Sequence, residues 1–582
     1  MRYNIFILSI VMASSLLAKM PAPSSLELSQ KRIKDHLLIR DYQTALSELK
    51  IYLAQFPQSR ELHGLMVRAL AESGCGLEAF AYWKYAFSLH QEIKEDTSLI
   101  ESIAWAILEK AEGSSQQIVN ISSIIGAALT RDAKAVKILR NYLHCSNAYL
   151  RMIAVKLSMQ YGDKTLIKDI QTMLKKETVW YVRLEIIRAL GRFGLKEATP
   201  LLKEMVANPR STLEERSVAA EALITLYEKL EDQELNNFFQ SKRAGLRYLA
   251  CEIVSYLNLR EKSEQVSALL TDTSPDVKMG ALNTLSVVGL DPSTKDKVIT
   301  LVEALAQDTH SHVAMTACRL LMFYKPQIAG PLLEKWIHHE NADLRRMAAC
   351  AVALSGPEGR KLGLRLLSSV EDPFVKVNLA YGMLGQEQQE PLLCKHLAEF
   401  LGSYSDKIMI DTTMNPLFKV LSPSRIKHIP EMAQYPTAID QYTRLHLLNI
   451  LAMMRYPHVE ESIKKYLKAQ SFGMTYTAST SLIEEGAEDS IEIIRSLLSD
   501  EDQLIRVQAA LVLALVGGEH NAVHVLQEAY PKMDREIKMH ILEAIGHIGS
   551  KESIPFLMEL FEDPFNVMRI IAASSIIQCI YH

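Results

Sequence analysis

Seventeen histidines and seven cysteines are the side chains of this 582-residue chain best suited to metal or nucleophile chemistry. The densest titratable run is His338-His339-Glu340. Imidazole beside carboxylate is the donor set of zinc and iron sites. This run, however, falls in the turn before Asp343-Leu-Arg, where a solvated cap is expected. His540 and His547 bracket Glu543 on one helical stretch, but they are seven residues apart, not at the i, i+4 spacing of a helical metal face. The cysteines are Cys75, Cys145, Cys251, Cys318, Cys350, Cys394 and Cys579, with no Cys-x-x-Cys among them. Buried thiols acting as small apolar side chains are expected. No phosphate-cradling Gly-x-Gly-x-x-Gly or Gly-Lys-Ser/Thr loop occurs, and no Gly-x-Ser-x-Gly elbow. No catalytic, cofactor-binding or metal-binding residue is assigned, and no cofactor is expected. The 64 basic and 68 acidic side chains leave a net charge of −4. No Lys/Arg cluster of the kind that holds a phosphate backbone appears, so no nucleic acid is expected.

The elements that position these residues are written in a period. Arg151, Arg183, Arg216, Arg247, Lys278, Ala314, Arg345, Lys376, Lys407, Arg444, Thr475, Arg506, Lys538 and Arg569 follow one another at 31 to 37 residues. The residue three further on is apolar each time, and it is alanine in nine of these fourteen cases, among them Ala154, Ala281, Ala348 and Ala572. Around Arg506, Asp500 and Asp502 precede apolar residues at helical spacing, and Gly517-Gly518 ends the run. A second short amphipathic stretch, 491–498, lies just before. Each period therefore predicts two helices and a polar turn. One such pair cannot offset its chain entropy of roughly 1–2 kcal/mol per residue, but stacked pairs share a core. The alanines let neighbouring helices approach. The basic anchors predict ion pairs with acids of nearby turns, a ladder along the stack. The fold class is all-α, an α-solenoid.

Pro275-Asp-Val-Lys-Met-Gly-Ala281, Ala342-Asp-Leu-Arg-Arg-Met-Ala-Ala349 and Asp372-Pro-Phe-Val-Lys376 resemble the HEAT repeat in its short form of about 30 residues, also found in phycobilisome-lyase-like proteins. The resemblance covers 132–582. It implies fold and little about activity. The long gaps, 278–314 and 407–444, predict loop-rich insertions, the second with three prolines in Ser422–Asp440. Residues 26–93 carry a 34-residue period, with Ala45 matching Ala79 and Leu49 matching Trp83, and resemble tetratricopeptide hairpins. Residues 94–131 predict connecting helices over Leu99–Glu109 and Gln117–Leu129.

Residues 1–18 read as a secretory signal: Arg2, an apolar run Ile5–Leu17, and a small residue at Ala18. A leader follows at 19–25. No later stretch is long enough to span a bilayer. The expected location is periplasmic or secreted, with a cytoplasmic chain as the alternative. The helix Ile570–Tyr581 is apolar almost all round, where a terminal repeat is ordinarily polar outside. A partner, a second copy or the folded-back chain is expected to cover it, which makes Ile571, Ile577 and Tyr581 the candidate protein-binding residues and self-association one of the expected partnerships. Trp180-Tyr181 and Trp83-Lys-Tyr85 are either partner anchors or core. The reading is a non-enzymatic scaffold or assembly factor for protein partners. The alternatives are a cytosolic adaptor and a HEAT-type lyase or metal-dependent hydroxylase.

Overall fold

The computed structural model describes residues 26–403, 408–411, 420–423, scattered positions between 443 and 464, and 488–581, apart from short stretches at 112–113, 209, 227–231, 386–390 and 517–518. The signal and leader expected over 1–25, and the repeat anchors Lys407, Arg444 and Thr475, lie outside the described residues. Two compact units emerge: residues up to 172 together with 510–582, and residues 173–509.

In the second unit the period becomes alternating helices. The helices that carry the anchors are Trp180–Arg192, Leu213–Leu226, Ala244–Tyr256, Pro275–Val288, Ser311–Met322, Ala342–Ala353 and Pro373–Leu384. Shorter partners such as Thr199–Ala207, Lys295–Leu305 and Pro326–Ile337 intervene. Local chemistry fixes the starts. Pro275 and Pro373 occupy the first turn, where a missing N–H costs nothing, and the Asp372 carboxylate accepts from Phe374 and Val375 N–H. Ala219, Ala250, Ala281, Ala317 and Ala348 are all fully buried. Small residues set how closely anchor helices meet: a Cβ on Gly382 would lie 2.6 Å from that of Ala353. The repeat stack is an all-α solenoid architecture.

Arg183, Arg247, Lys278 and Arg345 form the expected ladder, and their geometry explains why arginine is preferred. In these three arginines one edge of the guanidinium caps its own turn. Arg345 Nη1 donates to the carbonyls of His339 and Glu340 at 2.9 and 2.8 Å, and Arg247 Nη1 to that of Ser241 at 2.8 Å. The other edge reaches an acid at the start of the next anchor helix: Arg183 to Glu215 at 2.8 Å, Arg247 to Asp272 at 2.6 Å, Arg345 to Asp372 at 2.7 Å. Lys278 reaches Asp308 at 2.8 Å. Burial pushes the Asp272 carboxyl up, but its bonds from Arg247 and the Ser274 N–H outweigh this and hold it below the ordinary carboxylate value. Asp372 follows the same balance with Arg345, and the Lys278 ammonium holds Asp308 down.

The gap 407–444, where a loop-rich insertion is expected, departs from the helical period. Ile408–Asp411 is strand β1, paired antiparallel with β2, Val420–Pro423, with Ile410 opposite Leu421. Ile408, Ile410, Thr412 and Thr413 favour an extended chain, and Pro416 and Pro423 oppose a helix. The β2 strand packs on the anchor helices Ala342–Ala353 and Pro373–Leu384. Asn378, fully buried, binds it as another strand would: its Nδ2 donates to the Leu421 carbonyl at 2.8 Å and its Oδ1 accepts from the Leu421 N–H at 2.7 Å.

In the first unit, hairpins Leu26–Leu38/Tyr42–Gln55 and Arg60–Glu72/Gly76–Leu89 lead into helices Thr97–Lys110 and Gln117–Leu129. The helix Asn566–Tyr581 packs on both of these, and on Arg535–Ile548.

Candidate interaction surfaces

The sequence placed its candidate protein-binding residues on the helix Asn566–Tyr581, and the structure removes two of them from reach. Ile571 is 7% exposed and Ile577 is fully buried. The cover is the chain itself, one of the three covers expected. Ser574 Oγ donates to the Gly126 carbonyl at 2.7 Å, a contact open because Gly126 has no side chain: a Cβ there would lie 3.2 Å from Ser574 Cβ. On the preceding repeat, Ser575 Oγ donates to the Leu542 carbonyl at 2.8 Å. Lys84 pairs with Glu562, and the Phe80 and Phe561 rings meet edge-on at 5.3 Å. Tyr581 stays 58% exposed, and its phenol donates to Glu101, which with partial burial raises its pKa to about 12. Self-association through Ile571 and Ile577 therefore has no free face to use. The physical reason is that an apolar helix is covered by whichever apolar surface is tethered nearest, and the 97–129 helices supply one.

A cavity of about 310 Å³ lies along this seam. Ile107, Val119 and Ile570 contribute its apolar wall, and Lys110, Ser114 and Arg569 its polar groups.

The candidates for chemistry disperse. His339 Nδ1 accepts from the Asn341 N–H at 3.0 Å and its ring stacks on Trp336, so it caps a turn. His540 lies 3.5 Å from Glu543. Among the described residues no group of three His, Cys, Asp or Glu side chains converges as a metal site. Cys251, Cys318, Cys350, Cys394 and Cys579 are buried, and burial raises the Cys318 thiol to about 12. Trp83 is core, its indole donating to the Ile93 carbonyl at 3.2 Å, whereas Trp180 is half exposed.

Sequence reasoning missed an exposed feature of the second unit. Tyr256, Val287 and Phe323 are 64%, 46% and 46% exposed. Each stands nine residues after its anchor (Arg247, Lys278 and Ala314), at the C-terminal end of successive anchor helices. Neighbouring packed helices are typically 8–10 Å apart, so the three form one apolar ridge. The signal was available: the column nine past the anchor reads Arg192, Thr225, Tyr256, Val287, Phe323, Leu354.

A family model for HEAT repeats matches residues 136–224, 263–355 and 491–577. The chain carries HEAT repeats. The matched stretches include Arg183, Lys278 and Arg345 of the ladder, though not Arg247, and most of the Asn566–Tyr581 helix of the seam. Among solved structures, the chain is similar to the myosin chaperone UNC-45 of C. elegans, at 13% identity over 95% of this chain and 81% of the other, with a TM-score of 0.34. It is similar to the karyopherin Kap121p at 12% identity, over 96% and 72%, TM-score 0.34. Human deoxyhypusine hydroxylase aligns at 14% identity over 44% of this chain and 96% of its own, TM-score 0.21. Likeness at these values carries no argument about what the HEAT repeats here bind or do. None of the curated proteins matches the chain. Among the described residues no helix is long and apolar enough to cross a membrane.

Proposed function

We propose that this HEAT-repeat chain is a non-enzymatic scaffold that binds protein partners on the surface of its repeats. The observation that carries the reading is the ridge of Tyr256, Val287 and Phe323. Large apolar side chains held at one position of three consecutive repeats form a rigid line, and aromatic residues on such a line are favoured contact anchors. The ridge suits an extended segment or a helix that presents apolar residues at matching intervals. The tetratricopeptide-like front hairpins belong to the same reading as additional helical surface. Export through a signal at 1–18, to the periplasm or outside the cell, is part of the proposal.

The decisive experiment is affinity capture from the native host with the full chain and with Y256S/V287S/F323S. Partners retained by the wild type should fall at least tenfold in the variant. Equal recovery of every partner sinks the ridge as the binding surface. The mature N-terminus, read by mass spectrometry, tests export: a start near residue 19 supports it, and an intact Met1 removes it.

A further inference from the structure

The apolar ridge runs beside a row of charge. On each of its helices the residue four before the ridge position, five past the anchor, shares its face: Glu252 with Tyr256, Asn283 with Val287, Arg319 with Phe323. The preceding repeat adds Glu221 at the same place in Leu213–Leu226. The row thus passes from two acids, through a neutral amide, to a cation. Among the described residues no lysine or arginine pairs with Glu221 or Glu252. Arg188, at this place one repeat earlier, bonds Glu185 at 2.9 Å. Burial pushes the Glu252 carboxyl up against the bond from the Tyr248 phenol, and the Glu221 charge adds to the rise. Burial pushes the Arg319 guanidinium down to about 10. An opposite charge brought to either end favours the ionised form there. The next residue of the row is Cys350, and the chain itself lays an extended segment at that place. Cys350 Sγ donates to Asn378 Oδ1 at 3.3 Å, and Asn378 holds strand β2 by the Leu421 backbone.

We propose that the ridge takes an extended partner segment with a lysine or arginine toward Glu221 and Glu252, apolar side chains against Tyr256, Val287 and Phe323, and an aspartate or glutamate toward Arg319. The inference rests on the ridge as the binding surface and adds the chemistry and order of what it binds. Successive packed helices stand about 8–10 Å apart, so Glu252 and Arg319 are about 16–20 Å apart, or about five or six residues of extended chain. The charges set which way round the segment lies, and the ridge supplies the apolar contact between them.

The probe is a phage-displayed library of random peptides, about 16 residues each to cover the helical interval as well, selected on the full chain with Y256S/V287S/F323S as counter-selection. Peptides that depend on the ridge should share a basic and an acidic residue about five or six positions apart, with apolar residues between. The strongest of them, titrated by fluorescence anisotropy, should bind about tenfold more weakly to E252Q and to R319Q. E252Q is isosteric and keeps an oxygen for the Tyr248 phenol, so it carries the test if R319Q misfolds. E221K, at an exposed position, should also weaken binding, and a glutamate in place of the peptide's basic residue should recover it. Ridge-dependent peptides without the two charges overturn the proposal and leave the ridge reading standing. So does an affinity that all three charge variants leave unchanged. Charges about 11–13 positions apart, the interval of a helix over the same distance, overturn the extended segment. If no selected peptide depends on the ridge, the ridge reading falls and this inference with it.

Discussion

The helix Asn566–Tyr581 and the Tyr256–Val287–Phe323 ridge are both apolar, and they end in opposite states. On the helix, apolar residues occur on every face, and neighbours on more than one side bury them. The ridge offers one large side chain per repeat, at a helix end, and each keeps about half or more of its surface exposed. Apolarity in a repeat thus has two meanings, decided by whether a complementary surface is tethered close by. The seam has the required small residues, Gly126 against Ser574 and Gly546 against Ser575, which let backbones close in. The ridge has bulk at each corresponding place.

The contrast breaks most sharply at Ile577. A glutamate there would leave a charge in a fully buried position, and a loss of about 4 kcal/mol or more is expected. Urea unfolding of the full chain measures it. The outcome that would reverse the assignment is a natively stable I577E that has lost only a dimer or a bound partner.

The next effect belongs to the ladder. D272A leaves Arg247 without its acid where the two side chains are only 15% and 6% exposed, and about 3 kcal/mol should be lost. The pH dependence follows from the direction of the shifts. Asp272, Asp308 and Asp372 have folded-state values below the ordinary 3.8. Their contribution is complete above that value and lost as pH falls through the folded one. Urea midpoints should therefore drop between about pH 4 and pH 2, and the drop should be shallower in D272N/D308N/D372N. An unchanged slope would mean these pairs add nothing.

Third comes Asn378, the seam-like contact within the second unit. N378L leaves the Leu421 N–H and carbonyl without their buried partners, at about 2–4 kcal/mol. Exchange of the Leu421 amide should accelerate. Protection equal to wild type would show that β2 is held by its apolar residues without the amide.

Much of this arrangement is written in the sequence. The anchors, the alanines three residues on and the ion pairs of Arg183, Arg247, Lys278 and Arg345 follow from one period, because those repeats meet their neighbours in the same way. The helices Leu99–Glu109 and Gln117–Leu129 appear within two residues of their expected bounds, as Thr97–Lys110 and Gln117–Leu129. What did not follow from a local pattern is long-range. Ser574 meets Gly126 across 448 residues of sequence, and no period links them, so the cover of Ile571 and Ile577 stayed one of three expectations. The β1–β2 pair escaped for the opposite reason: Ile410 satisfies the repeat's apolar slot, and the same β-branched residue serves a strand. The ridge was legible in the column nine past each anchor, but exposure depends on where an anchor helix ends, and a helix end is set by turn chemistry more finely than by the period.

The ridge itself should show the smallest effect on folding. Tyr256, Val287 and Phe323 each keep about half or more of their surface in water, so truncation removes little burial, and exposed substitutions ordinarily stay within about 0.5 kcal/mol each. Y256S/V287S/F323S should unfold within about 1.5 kcal/mol of wild type, with the same helical signal by circular dichroism. A loss above that limit would mean the three side chains support their own helix ends, as the buried residues of the seam do, and the distinction between a covered and an open apolar surface would disappear. A variant that keeps its stability separates the two roles, because any partner it then fails to hold was held by the ridge and not by the fold behind it.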